Sequence, residues 1–194
     1  MSVTVKQESG SGLVPAGTWQ VDPAHSSIEF QVKHMMIATV KGRFTKFAGT
    51  LEAGEDGTLR ADGTVKSASI DTHDETRNEH LRSADFFDAA TYPELSFVTT
   101  EIAPTGGSGL RVAGELTIKG TTKPIELTGT VQGTGLDPWG NERVALELRG
   151  EIDRREFGLT WNQALETGGV LVSDRVKIEL ELSAFKPVEQ PASA

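Results

Sequence analysis

From Trp19 onward the chain alternates apolar and polar residues with a period of two. Ile28, Phe30 and Val32 alternate with Glu29, Gln31 and Lys33, and Phe47, Gly49 and Leu51 with Ala48, Thr50 and Glu52. The same rhythm runs from Leu110 to Ile118, Ile125 to Val131, Val144 to Ile152 and Val176 to Leu182. A two-residue period puts one set of side chains on each face of a strand. One apolar and one polar face belong to antiparallel sheet that is wet on one side. Gly54-Glu55-Asp56-Gly57, Gly106-Gly107-Ser108-Gly109, Gly120-Thr121-Thr122-Lys123-Pro124 and Asp137-Pro138-Trp139-Gly140-Asn141 separate the runs as turns. The pattern predicts about eight strands, several longer than the usual ~5–6 residues. The fold class expected is all-β, an eight-stranded antiparallel up-and-down barrel with one short helix, because closure removes unpaired edges. A two-sheet sandwich is the alternative.

Gly49, Gly114, Gly129 and Gly150 fall on the apolar faces. They mark barrel corners and bulges, or space left for a ligand. An eight-stranded barrel has room for side chains or for one small ligand. The alternation breaks at residues 71–82, where Thr72 and Glu75 match a capping box and predict a helix. On that helix His73, Arg77 and His80 would share one face. The stripe reads either as an anion or head-group site, or as a solvated face with Arg77 paired to Glu75 or Asp74. The next segment carries Phe86, Phe87 and Tyr92, which plug the barrel end or line an entrance.

Residues 1–17 read as a flexible arm, 18–185 as the barrel domain and 186–194 as a disordered tail. No basic start followed by an apolar stretch opens the chain, so the expectation is a cytoplasmic protein, or a periplasmic or secreted one if a leader has been removed. The 194 residues suit a single domain, and no run reaches the ~18 apolar residues of a spanning helix. A net charge of −9 disfavours nucleic acid as a partner. The absence of cysteine removes disulfides, thiolate nucleophiles and Cys-type metal sites. His25, His34, His73 and His80 match no metal-ligand spacing, and no nucleophile elbow, zinc-protease motif or phosphate loop is present. Neither a metal nor another cofactor is expected.

Taken in order, several segments resemble the YceI-like family of lipocalin-like, polyisoprenoid-binding proteins. The resemblance runs from about Trp19 to Phe185. It is carried by Trp19-Gln20-Val21-Asp22-Pro23-Ala24-His25-Ser26, Gly42-Arg43-Phe44, Ser69-Ile70-Asp71-Thr72, the run from Arg77 to Asp88, Tyr92-Pro93, Thr122-Lys123-Pro124 and Arg154-Arg155-Glu156-Phe157-Gly158. Asn78 stands where the family commonly has Asp, Lys119 where it has His, and Glu156 where it has Asp. The first two substitutions make the basic site less acidic. The resemblance implies a lipocalin-like barrel around a long apolar cavity that binds a polyisoprenoid, either an isoprenoid quinone or a prenyl phosphate. With the periodicity, it assigns tail contacts to Phe30, Phe44, Phe47, Leu51, Phe97, Leu116, Ile118, Leu127, Leu146 and Trp161. Head-group contacts are assigned to His25, Arg77, His80 and Lys119. The role implied is a non-catalytic carrier or sequestering protein, with a homodimer expected from the family's frequent pairing. The rival readings are an enzyme acting on an isoprenoid through His80 or His25, and a filled barrel serving as an interaction scaffold.

Overall fold

The computed structural model describes residues 12–188. The alternating runs become strands β1 (Gly17–Val21), β2 (Ser27–His34), β3 (Ala38–Phe44), β4 (Phe47–Ala53), β5 (Leu59–Lys66), β6 (Ile70–Asp71), β7 (Glu94–Gly106), β8 (Gly109–Ile118), β9 (Thr121–Leu136), β10 (Glu142–Asp153) and β11 (Val172–Phe185). One α-helix, α1 (Glu75–Arg82), lies between β6 and β7. β1 bonds to both β4 and β11 and closes a ring of eight antiparallel strands: β1, β4, β5, β7, β8, β9, β10 and β11. β2 then continues along β11, β3 pairs with β2, and β6 pairs with β3. The structure is therefore the closed barrel with one short helix that the alternation predicts.

The strand segments exceed eight because predicted runs break. At Asp22-Pro23-Ala24-His25 the Asp22 carboxylate accepts from Ala24 N at 3.0 Å, and Pro23 supplies no N–H to a ladder. Between β3 and β4, Thr45 N donates to Ser69 O at 3.1 Å and Lys46 N to Ser69 Oγ at 3.1 Å. The strands form a meander, so its connections alternate between the two ends. One end carries the β2–β3 hairpin, the α1 connection, the Lys119-Gly120 turn and the loop before β11; it is called the helix end below. The opposite end carries the other hairpin turns together with β1.

The interior divides along the same axis. Toward the β1 end, Val14, Trp19, Leu51, Leu110, Val144, Leu146 and Ala184 pack into one buried cluster. Trp19 is fully buried; its indole donates to Pro15 O at 3.0 Å, and the Lys186 ammonium lies 4.9 Å from its ring centroid. The last part of the expected arm is held on the barrel: Val14 is buried with Leu13 against the Trp19 cluster, and Ala16 O accepts from Lys186 Nζ at 2.9 Å. That last contact also ties down the start of the expected tail. Residues 1–11 and 189–194 lie outside the described residues.

The helix begins later than the capping box implies. Asp74 is the cap and accepts from Arg77 N at 2.9 Å. Thr72 is buried instead, donating from its backbone N (2.8 Å) and its hydroxyl (2.7 Å) to Asn78 Oδ1. His73 precedes the helix with φ 61°, so it does not share a helical face with Arg77 and His80. A short polar side chain bonding the backbone locally competes with helix, and here the Thr72–Asn78 pair wins.

At the β1 end, Arg143 bridges two carboxylates, Asp137 at 2.9 Å and Asp22 at 2.9 Å. Asp137 also accepts from the Asn141 side chain, Asn141 N and Trp139 N, and these bonds, the Asn141 side chain's foremost, hold its carboxyl well below the usual range together with Arg143. A depressed folded-state value stabilises the fold above the unfolded carboxyl value near ~4 and loses that contribution as pH falls through the folded one. Asp137→Asn is therefore expected to lower the urea midpoint at pH 7, with the gap to wild type narrowing steadily below about pH 4. Trp19→Ala is expected to cost about 3–5 kcal/mol in urea unfolding followed by circular dichroism, because it empties the packed end of the barrel.

Candidate ligand-binding cavity

Toward the helix end the barrel is hollow. An apolar cavity of about 260 Å³ is lined by seven of the chain's eight phenylalanines: Phe30, Phe44, Phe47, Phe86, Phe87, Phe97 and Phe157. Aliphatic side chains from every part of the ring complete it, among them Ile28, Val65, Ile125, Ile152 and Leu159. The polar residues on the lining are Glu29, Thr64, Ser96 and Arg154. Val176, Ile178, Leu180 and Leu182 line it in succession along β11, so it follows that strand for ~20 Å at ~3.3 Å per residue. That length at that volume makes a slot, suited to a chain-like apolar molecule. Leu81, Phe86 and Phe87 from the α1 connection cover the helix end.

Glycines let the rings lie flat. Phe30 sits opposite Gly42, where an added Cβ would come within 2.2 Å of the ring. A Cβ on Gly114 would meet the Phe97 ring at 2.5 Å, and one on Gly150 would meet Leu127 at 2.4 Å. The space above these glycines is therefore filled by neighbours, whereas Gly49 and Gly63 border the cavity itself. Phe30–Phe44 and Phe44–Phe87 pack at centroid distances of 5.8 Å each and run the aromatic wall up to the helix-end cover.

Of the predicted tail contacts, Phe30, Phe44, Phe47, Phe97, Leu116, Ile118 and Leu127 line the cavity. Leu51 and Leu146 point inward but pack in the Trp19 cluster, because they occupy the β1 ends of their strands. Trp161 lies off the lining and stacks edge-on with His80 at 4.7 Å.

The four predicted head-group residues do not converge. His25 pairs with Asp22 at 2.8 Å, beside Arg143 and away from the helix end. Arg77 turns back on the helix start, donating to Thr72 Oγ1 at 2.8 Å and Thr72 O at 2.7 Å. His80 and Lys119 do come together, on residues 84–85. His80 Nε2 lies 2.8 Å from Asp85 Oδ2, and Lys119 Nζ donates to Ala84 O at 2.8 Å. With Trp161 and Phe86 flanking the His80 ring, these residues form a polar rim just outside the cavity cover.

Arg154 is the residue that sequence reasoning leaves unassigned. Its signal is parity: it follows Leu148, Gly150 and Ile152 on the inward set. It is 5% exposed and donates to the carbonyls of Ser173 (2.9 Å), Leu159 (2.6 Å), Trp161 (2.9 Å) and Val172 (3.3 Å), with Asp174 at 3.6 Å. Burial pulls the guanidinium below its usual range, and Asp174 opposes that shift. Its job is to pin the loop before β11 over the end of the cavity. Arg154→Met would leave four carbonyls without these donors. The expected result is about 3 kcal/mol of lost stability, with amide exchange rising first in residues 159–171, as read by hydrogen-exchange mass spectrometry.

The YceI-like domain model matches residues 19–184. A UPF0312 protein of Staphylococcus aureus is 38% identical over 161 residues, covering 81% of this chain and 91% of the relative. The Burkholderia cenocepacia protein BcnA superposes with a TM-score of 0.73 at 30% identity, over 84% of this chain and 98% of that one. The Campylobacter jejuni YCEI protein superposes at 0.69 with 28% identity, over 80% and 90%. A polyisoprenoid-binding domain from Saccharophagus degradans shares the fold at a TM-score of 0.65 and 17% identity, over 87% and 98%. Matched over nearly all of its barrel, the chain belongs to the YceI-like domain family.

Proposed function

We propose that this barrel binds a polyisoprenoid lipid, an isoprenoid quinone or a prenyl phosphate, and carries or sequesters it without chemical change. The observation that carries this reading is the slot itself: long, narrow, walled by phenylalanine and aliphatic side chains, with its one buried guanidinium already bonded to backbone carbonyls. The polyisoprenoid-binding domain that shares the fold lends support. A buried CH₂ contributes ~0.8 kcal/mol, so several isoprene units supply on the order of 10–20 kcal/mol against an association cost of ~4–15 kcal/mol. The tail alone can hold such a ligand. The slot is slightly smaller than the ~300–1,000 Å³ of most ligand pockets, so a long tail displaces Phe86 and Phe87 or extends past them. In this reading His80 and Lys119 on the rim meet the polar head there.

The enzyme reading is less well supported. General acid–base catalysis needs a side chain within hydrogen-bond reach of the reacting atom, and neither His80 nor His25 lines the cavity. The scaffold reading calls for a filled interior, which the cavity argues against.

The test is solvent extraction of purified protein and mass spectrometry against a mock purification, repeated after incubation with prenyl lipids. A stoichiometric prenyl lipid is expected. Val65→Trp, which places an indole in the slot, should lower its occupancy about tenfold or more with the circular dichroism unchanged. No prenyl lipid in either sample, or equal occupancy in the variant, would sink the proposal.

A further inference from the structure

The β2–β3 hairpin ends in an apolar tip that the barrel does not bury. Met35, Met36 and Ile37 are 45%, 58% and 80% exposed. Ile37 N donates to His34 O at 3.2 Å, and φ is 52° at Met35 and 63° at Met36. That is a type I′ turn, whose two central positions favour Asn-Gly. Left-handed backbone is disfavoured for side chains as large as methionine. An Asn-Gly pair would relieve the backbone and remove the exposed apolar surface together. The tip's backbone is tied to the loop before β11, Met35 N donating to Leu171 O at 2.8 Å, but its side chains only graze that loop: a Cβ added to Gly169 would stand 3.5 Å from Met36 Cγ. Nothing in the barrel's own packing accounts for the choice of Met-Met-Ile.

Two further observations say what the tip meets. The first is charge. Between Phe30 and Phe44 the hairpin holds Lys33, His34, Lys41 and Arg43 and no carboxylate, in a chain of net charge −9; Arg43 pairs with Asp71 at 3.2 Å, which leaves Lys33 and Lys41 to carry the collar. Lys33 and Lys41 are exposed, on the strands that lead to the tip. The second is area. Three side chains offer far less than the ~800 Å² that each partner gives a stable protein interface. A small apolar point with a basic collar suits a bilayer with anionic head groups. Methionine, unbranched and polarisable, adapts to the disordered acyl region. The tip also projects from the helix end, the end where Phe86 and Phe87 cover the cavity.

We propose that Met35-Met36-Ile37 dips into an anionic lipid bilayer and docks the barrel by its helix end. The docking rests on the lipid-binding reading only for its purpose, bringing the cavity to the source of its ligand. The test is co-sedimentation of the full chain with phosphatidylcholine vesicles, with and without phosphatidylglycerol. Met35→Asn/Met36→Gly/Ile37→Thr suits the turn better than the native residues, so its thermal midpoint should not fall. Wild type is expected to bind the anionic vesicles, and the triple variant to lose binding on the order of 10–100-fold. Lys33→Gln/Lys41→Gln should abolish the preference for phosphatidylglycerol and its sensitivity to salt. Wild type that stays in the supernatant, or a triple variant that binds equally, overturns the proposal. So does a triple variant that loses self-association in sedimentation velocity while still binding vesicles, which would assign the tip to a second copy. Binding of geranylgeraniol delivered from detergent reads the cavity alone and should be the same in wild type and triple variant. A wild type that takes up no geranylgeraniol yet sediments through its tip would cost the cavity reading and leave the docking standing.

Discussion

Closing a sheet into a ring requires its first and last strands to find each other, and here the joint is β1. It is five residues long, pairs with β4 at four positions and reaches β11 at two. Trp19 anchors it from inside and Lys186 covers that anchor. The remainder of β11 pairs with β2, which leads away into β3. One end of the barrel is therefore drawn tight around an indole, while the other has a wider wall with no side chain at its centre. The position of the cavity follows from where closure takes place.

A hollow of this kind survives only if its walls and cover hold themselves up. The walls do so through phenylalanine rings laid over glycines, which gives contact without filling the centre. The cover does so through polar side chains bonded to backbone carbonyls and to one carboxylate. Lys119 holds Ala84 O, His80 meets Asp85, and Arg154 gathers the carbonyls of the loop before β11. Residues that look like ligand-binding cations in the sequence thus have structural partners in the fold. In the proposed function the apolar tail supplies the affinity, and the rim residues meet the head only at the cost of contacts they already have. The same economy fits a carrier, which has to release what it binds.

The β2–β3 tip belongs to the same end and obeys the opposite rule. Elsewhere among the described residues the left-handed positions fall mostly on glycine, as at Gly57, Gly120 and Gly140, and otherwise on the polar residues His73, Asp88 and Lys119. At Met35 and Met36 the chain keeps large apolar side chains in that conformation and in solvent. Local preference and burial both argue against that arrangement, and a deviation from both together marks a site with a use outside the fold.

Periodicity determined the inward faces of the alternating runs, because side-chain direction in a strand depends only on residue parity, and glycine, proline and asparagine marked the turns between them. Parity and the family resemblance together point to seven residues that line the cavity, from Phe30 on β2 to Leu127 on β9. Parity does not say how far along the barrel a residue sits, so Leu51 and Leu146 read as cavity wall although Trp19 covers them. Nor does it say what a polar side chain bonds. Thr72 looked like a helix cap and became the buried partner of Asn78, and His25 went to Asp22, whose carboxylate also takes Arg143 from a strand distant in sequence. Arg154, to which the sequence assigns no role, is a buried clamp. The sequence by itself determined faces and turns, which are local properties of the backbone. Only the tertiary structure decided depth, closure and polar partners, because those depend on which distant strands share an end of the barrel.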